Sequence, residues 1–343
     1  MTCFRKIINI SKWLILVLGF SSIVSAQDPF FSQFYAAPLQ LNSAFTGLSN
    51  GTQIGVNYRN QWPLIDQAFK TYVTYNIFYN QFFPKVKSGF GMELTSDVAG
   101  GGFIRTNKAN LLYGYKIPIN RHGHVIKGGL ELGYVLMNYN WDKFIFGDQI
   151  DPVSGYQTGG GAIISKELVP SDKTSNYIDI GMGVLYYSPK YYIGASVKHL
   201  NSPDIGILNK SRDGGSGLPP RIGSHGGFEF DLSGNNKKKT QLFSPSIAIV
   251  SQASFFQLNI GGQYLYKSIF TGLFFRQSRK TSDALIFNVG FKKDYWKLGY
   301  SFDFTLSKLS ISEGGSHEIS LLFNFEKDPR KTSNVSDCFE AFR

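Results

Sequence analysis

Five histidines, His122, His124, His199, His225 and His317, are the first residues of this 343-residue chain to check for chemistry. His122-Gly-His124 sits in a predicted turn, where two lone imidazoles read as solvated side chains rather than as a metal site. Ser316-His317 pairs a nucleophile type with a base type, but alternation along a strand sends adjacent side chains to opposite faces. GGGFIRTNK, Gly100 to Lys108, has the glycines of a phosphate loop without the Walker spacing or a following helix. The basic residues are spread over turns and form no stripe interleaved with stacking aromatics, so nucleic acid is not expected as a partner. These readings leave no catalytic constellation, no metal site and no cofactor site, and a non-enzymatic role is expected. The ionic residues that matter are those a strand would turn inward: Lys70, Lys127, Glu131, Asp179, Lys297, Asp303 and Glu318. With both signs present they either pair and close an interior, or line a channel without strong ion preference.

The elements that turn them inward are legible as a period of two. In YWKLGYSFDFTL, Trp296, Leu298, Tyr300, Phe302, Phe304 and Leu306 share one face, opposite Tyr295, Lys297, Gly299, Ser301, Asp303 and Thr305. HEISLLFNFE repeats it, with Ile319, Leu321, Phe323 and Phe325 against Glu318, Ser320, Asn324 and Glu326. The same alternation runs through 68–80, 174–187 and 254–267. Segments of about ten residues suit tilted strands crossing a bilayer, and soluble sandwich strands are nearer five or six. In lipid every backbone N–H and C=O must be paired, which a closed sheet achieves. Strands are expected at 52–60, 68–80, 88–96, 104–117, 123–140, 174–187, 190–199, 220–232, 240–251, 254–267, 269–277, 283–292, 295–306 and 316–326. The fold class is therefore all-β: a transmembrane antiparallel β-barrel of about 14 strands, an even number. The segments 240–251 and 269–277 are poorly patterned. Connections alternate between tight turns (188–190, 267–268, 292–294) and long loops (141–173, 200–219, 307–315), which points to periplasmic turns, external loops and both termini in the periplasm. The short hairpin at Gln252-Ala253 breaks that alternation.

Composition agrees. The charged fraction is 17%, below the roughly 25% of ordinary globular chains, and aromatics reach 15%. Arg5, Lys6 and Lys12, the apolar run Trp13 to Phe20 and Val24-Ser25-Ala26 read as a secretory signal peptide, residues 1–26. Cleavage there would leave Cys338 as the sole cysteine and lower the formal charge from +11 to +8, as the leader holds three bases and no acid. The excess gathers at the predicted periplasmic turns, in Lys85, Lys87, Arg121, Lys190, Lys237 to Lys239, Lys267, Lys292 and Lys293, where it could meet acidic partners or lipid headgroups.

The stretch after the leader, DPFFSQFYAAPLQLNSAFTG, holds five aromatic residues, one charge and two prolines, with no helical or alternating period. It resembles the start of the PorP/SprF family of outer-membrane proteins, which read approximately Asp-Pro-x-Phe-Ser-Gln-Tyr, then Pro-Leu-x-Leu-Asn-Pro-Ala and Gly. GVNYRNQWP, Gly55 to Pro63, is similar to that family's next block, and Ser301 to Phe325 to its last hairpin. Ser43 stands where the family usually has proline and Phe34 where tyrosine is common; residues 141 to 250 match only generically. The resemblance implies a part in the type IX secretion system of Bacteroidota, often linked to gliding motility. It implies periplasmic machinery proteins and secreted adhesins as partners, outer-membrane lipid around the barrel, and no enzyme activity. Asp28, Pro29, Phe31, Gln33, Pro38, Leu41, Asn42, Arg59 and Trp62 lie in the matching blocks and are candidates for partner contact or for a plug. The expected organisation is a leader (1–26), an aromatic plug or docking strip (27–50), the barrel (51–326) and a charged, mobile periplasmic tail (327–343). A channel or uptake porin for small or apolar solutes is the alternative function.

Overall fold

Antiparallel pairing of successive strands closes this chain on itself. The computed structural model describes residues 28–64, 72–151, 155–156, 165–167, 172–206, 217–234, 240–279, 282–306, 314–325 and 337–342. Fourteen long strands are present among them: β1 (Thr52–Gln61), β2 (Tyr72–Phe83), β3 (Ser88–Ala99), β4 (Ile104–Pro118), β5 (Val125–Tyr139), β6 (Thr174–Tyr187) and β7 (Tyr191–Lys198). The second half holds β8 (Arg221–Phe228), β9 (Gln241–Gln252), β10 (Phe255–Tyr266), β11 (Ile269–Ser278), β12 (Ser282–Lys293), β13 (Trp296–Thr305) and β14 (Ser316–Asn324). Each pairs antiparallel with its chain neighbours, and β1 pairs with β14 in the register Arg59↔Glu318, so the sheet has no free edge. No helix among the described residues is long and apolar enough to cross a membrane. A two-residue ladder, Ile150–Asp151 with Gly155–Tyr156, decorates the longest loop.

The two faces differ as lipid and lumen should. Leu111, Leu130, Tyr134, Ile178, Ile193, Ile222 and Phe287 are more than half exposed on the outside, a belt that water would not tolerate but hydrocarbon does. The inner positions between them are buried.

Several boundaries moved for local reasons. The strand expected at 68–80 runs from Tyr72 to Phe83, where Pro84 opens a 3-10 turn; Lys70 lies outside the described residues. The strand expected at 220–232 ends at Phe228, and only Phe230–Asp231 extends its ladder. The short Ala253–Ser254 hairpin does stand at the long-loop end, with Ala253 in the left-handed region. Both termini were expected on one side, yet the first and last described residues lie at opposite ends of the lumen. Asp28 sits beside His199, Arg221 and Gln252 at the long-loop end, and residues 337–342 sit at the tight-turn end.

Candidate functional site: the filled lumen

Residues 28–49 run down the inside of the barrel, descending from the long loops to the start of β1. Pro38 occupies the first turn of a one-turn helix, α1 (Pro38–Leu41), where its missing N–H costs nothing. Flanking 3-10 turns, Phe34–Ala36 and Ser43–Phe45, complete a compact path, and Asn42 caps the second by accepting from the Ala44 N–H at 2.8 Å. Phe31, Phe34, Tyr35, Leu39, Leu41 and Phe45 are all buried. All but Phe31 share one apolar cluster with inward side chains of the wall, among them Phe78, Leu112, Leu185, Phe274 and Leu322.

The wall is cut to receive this segment. Gly89, Gly114, Gly129 and Gly183 stand side by side on β3, β4, β5 and β6, each paired with the next across the ladder. Ser196 on β7 and Gly223 on β8 continue the row. A Cβ on any of the first four would strike Gly47, Thr46, Ser43 or Asn42 respectively. The row is a trough one residue deep, and the descending backbone lies in it. Ser196 Oγ donates to the Leu41 carbonyl at 2.9 Å, and Asn42 Nδ2 donates to the Val184 and Ala195 carbonyls at 3.0 and 3.1 Å.

Charges hold the upper half. Glu318 accepts from the Ser32 and Gln33 N–H groups at 2.7 and 2.8 Å and pairs with Arg59. Asp303 accepts from Ser32 Oγ at 2.6 Å and from Arg276 at 2.7 Å, with Arg59 at 3.4 Å. A second cluster joins Lys108 to Asp179 at 2.6 Å and Lys198 to Glu131 at 2.9 Å. His199 bridges from it to the segment, Nδ1 to Asp179 and Nε2 to Asp28, both at 2.9 Å, with Arg221 3.5 Å from Asp28. Lys127 donates to the Thr46 carbonyl at 2.8 Å.

At the tight-turn end the last described residues enter the lumen. Phe339 and Phe342 are buried against Phe45, Tyr187 and Tyr192, with Phe45 and Phe342 stacked at 4.9 Å. Lys297 donates to the Ala341 carbonyl at 2.6 Å, Gln53 to the Phe342 carbonyl at 3.0 Å, and Lys292 pairs with Glu340.

The structure thus divides the residues singled out from sequence. Asp28, Phe31, Gln33, Pro38, Leu41 and Asn42 lie in the descending segment, Pro29 beside them with its carbonyl accepting from Gln40. Arg59 is part of the wall that grips it, whereas Trp62 stands apart at the long-loop rim against Tyr72. Asp303 and Glu318 share one cluster, Glu131 and Asp179 the other, and Lys127 and Lys297 serve backbone carbonyls. Ser316 is buried while His317 faces outward to Tyr300, on opposite faces as expected. Sequence reading missed the cations Lys108, Lys198, Arg221 and Arg276 and the bridging His199. It also read as a mobile tail a terminus whose Cys338-Phe339 and Phe342 carried the apolar signal for insertion.

A family model described as type IX secretion system membrane protein PorP/SprF matches residues 23–323. The chain belongs to the PorP/SprF family. This PorP/SprF chain is thus a membrane protein of the type IX system with a fourteen-strand barrel of outer-membrane type. No curated protein matches it. Solved structures that resemble it include the Acinetobacter baumannii outer membrane protein Omp33 (TM-score 0.43, 5% identity, covering 82% of this chain and 100% of that one). Two others are the monoaromatic hydrocarbon channel CymD (0.43, 11%, 89% and 95%) and a deltaS2 mutant of the channel TodX (0.44, 10%, 84% and 94%). At these identities and scores the likeness extends to general barrel architecture only.

The Asp28–His199–Asp179 bridge should make anchoring of the segment's upper end depend on pH. Burial works against the charged imidazole, but hydrogen bonds to Asp179 and Asp28 outweigh it and hold His199 above its ordinary value. Burial likewise opposes the Asp28 carboxylate, and His199, Lys108 and Arg221 more than compensate, so Asp28 titrates well below the usual range. The histidine's contribution is full below its unfolded pKa, about 6.5, and is lost as pH rises through the raised value. The Asp28 contribution is full above about pH 4 and is lost as pH falls through the depressed value. Hydrogen exchange of the Ser32 and Gln33 amides should therefore be slowest between those limits, after correction for intrinsic exchange. His199→Gln should remove the alkaline arm and weaken the acid one, leaving Lys108 and Arg221 to favour the Asp28 carboxylate.

Proposed function

We propose that this PorP/SprF chain is a closed, non-conducting barrel that supports export or surface attachment of secreted adhesins through protein contacts at its two ends. The observation that carries this reading is the lumen filled from Asp28 down to the tight-turn end by the chain's own residues 28–49 and 337–342. A filled barrel offers its rims rather than a path. In the proposed orientation, the leader directs residues 27–343 across the inner membrane and the tight turns face the periplasm. Exposed Lys85, Lys87, Arg121, Lys190, Lys267 and Lys293, with Asp294 among them, give that rim an excess of positive charge suited to an acidic machinery protein. The long loops of 140–173 and 199–220 would meet the adhesin client, and outer-membrane lipid covers the apolar belt.

The alternative of a solute channel predicts the opposite phenotype. A strain lacking the gene should secrete its large adhesins poorly or release them into the medium, with uptake of small solutes unchanged. Normal adhesin display together with slowed uptake of one nutrient would establish the channel instead.

A further inference from the structure

Above the filled section, the long-loop end of the lumen opens into a cavity of about 560 Å³. Its floor is the upper end of the descending segment, Asp28 to Phe30, and its walls include Trp62, Tyr72, Tyr177 and Phe255. We propose that this cavity binds an organic cation, a primary ammonium or guanidinium group on an apolar stem, with Asp97 as its counter-ion.

The charge balance of the cavity singles out Asp97. Arg59 is committed to Glu318 and Asp303, Arg276 to Asp303, and Asp28 to His199 and Arg221. Asp97 is half-buried and accepts from Thr74 Oγ1 at 2.6 Å, but no cation among the described residues lies within ion-pair range of it. Its cross-strand neighbours are the neutral Thr74 and Thr106. Lys108, one inward position further along β4 than Thr106, turns away to Asp179. A carboxylate has about four acceptor sites, and one hydroxyl satisfies one of them. The remaining sites face the cavity, where a positive ligand can take them up in charge-assisted hydrogen bonds.

The walls favour the same chemistry. Trp62 and Tyr72 pack edge to face at 5.7 Å, and aromatic faces attract ammonium and guanidinium groups while their rings cover an alkyl stem. An anionic ligand would meet the Asp97 carboxylate, with Arg59 and Arg276 already paired to Asp303 and Glu318. The inference stands on this cavity alone and does not depend on the proposed role in adhesin export.

The test titrates the purified protein in detergent with two probes, n-butylamine and the peptide acetyl-Ala-Lys-Ala-amide, reading tryptophan fluorescence and calorimetric heat. Both should give a saturable response, and n-butanol and the norleucine peptide should give none. Asp97→Asn keeps the size of the side chain and should weaken binding at least tenfold; Trp62→Phe should abolish the fluorescence change. Tighter binding of the peptide would identify a lysine side chain on a polypeptide as the ligand, and equal affinities a free amine. Failure of either cation to saturate by tens of millimolar would overturn the proposal, as would equal response to the neutral analogues. An Asp97→Asn protein that binds as tightly as wild type would do the same. The comparison of charged and neutral probes uses the wild-type protein, so it stands even where the variant fails to fold.

Discussion

Deleting residues 28–47 should turn an electrically silent barrel into a pore. In planar bilayers the intact protein is expected to show no discrete current steps, because aromatic side chains and the backbone lying in the glycine trough occupy the lumen. Removing them exposes a cylinder wide enough for water, as barrels of more than about eight strands are. The first deletion should give incomplete, flickering currents, since Phe339 and Phe342 would still occupy the tight-turn end. Those rings would have lost Phe45, one of the surfaces they pack against, while Tyr187 and Tyr192 remain. Ending the chain after residue 336 as well should give steady, large steps. A point substitution offers a milder version: Gly129→Val places a branched side chain where the Ser43 and Ala44 backbone now lies, so the segment must lift from the trough. Silence of the double deletion, in a protein that still migrates as a folded barrel, would show that something other than these residues closes the lumen.

The same packing explains what was and was not legible in the sequence. Strands facing the polar clusters announced themselves: β13 and β14 place Ser301, Asp303, Glu318 and Ser320 inward, and the contrast with Tyr300, Phe304 and Ile319 is plain. The poorly patterned segments proved to be β9 and β11, whose inward positions include Leu242, Ala248, Val250, Phe270 and Phe274. Their inner face mixes these apolar side chains with Gln252 and Arg276, so the polar half of the alternation is broken up. The inward glycines form a row in register across neighbouring strands. No single strand's pattern shows such a row, because it depends on cross-strand register. Individual inward charges could be picked out by alternation, but their partners could not. Arg276 lies on a strand without a clear period, and His199 lies just beyond the end of β7.

Glu318→Ala should be among the most damaging single substitutions in the chain, costing about 3–5 kcal/mol in urea unfolding from detergent or vesicles. Glu318 is almost wholly buried and does three things at once: it neutralises Arg59 and accepts the Ser32 and Gln33 amide protons. Alanine would leave two buried backbone donors unmatched, each costing about 1–3 kcal/mol, and would leave Arg59 to Asp303 alone. Asp303 must already serve Arg276 and Ser32. Glu318→Gln keeps an acceptor without its charge, and should cost roughly half as much, because charge-assisted hydrogen bonds are about twice as strong as neutral ones. Lys190→Gln, on the exposed rim, should stay within about 0.5 kcal/mol of wild type. The order matters more than any one value. If the alanine variant proved no less stable than the rim control, the ionic grip on Ser32 and Gln33 would be incidental, and the trough and its aromatic contacts would have to hold the segment alone.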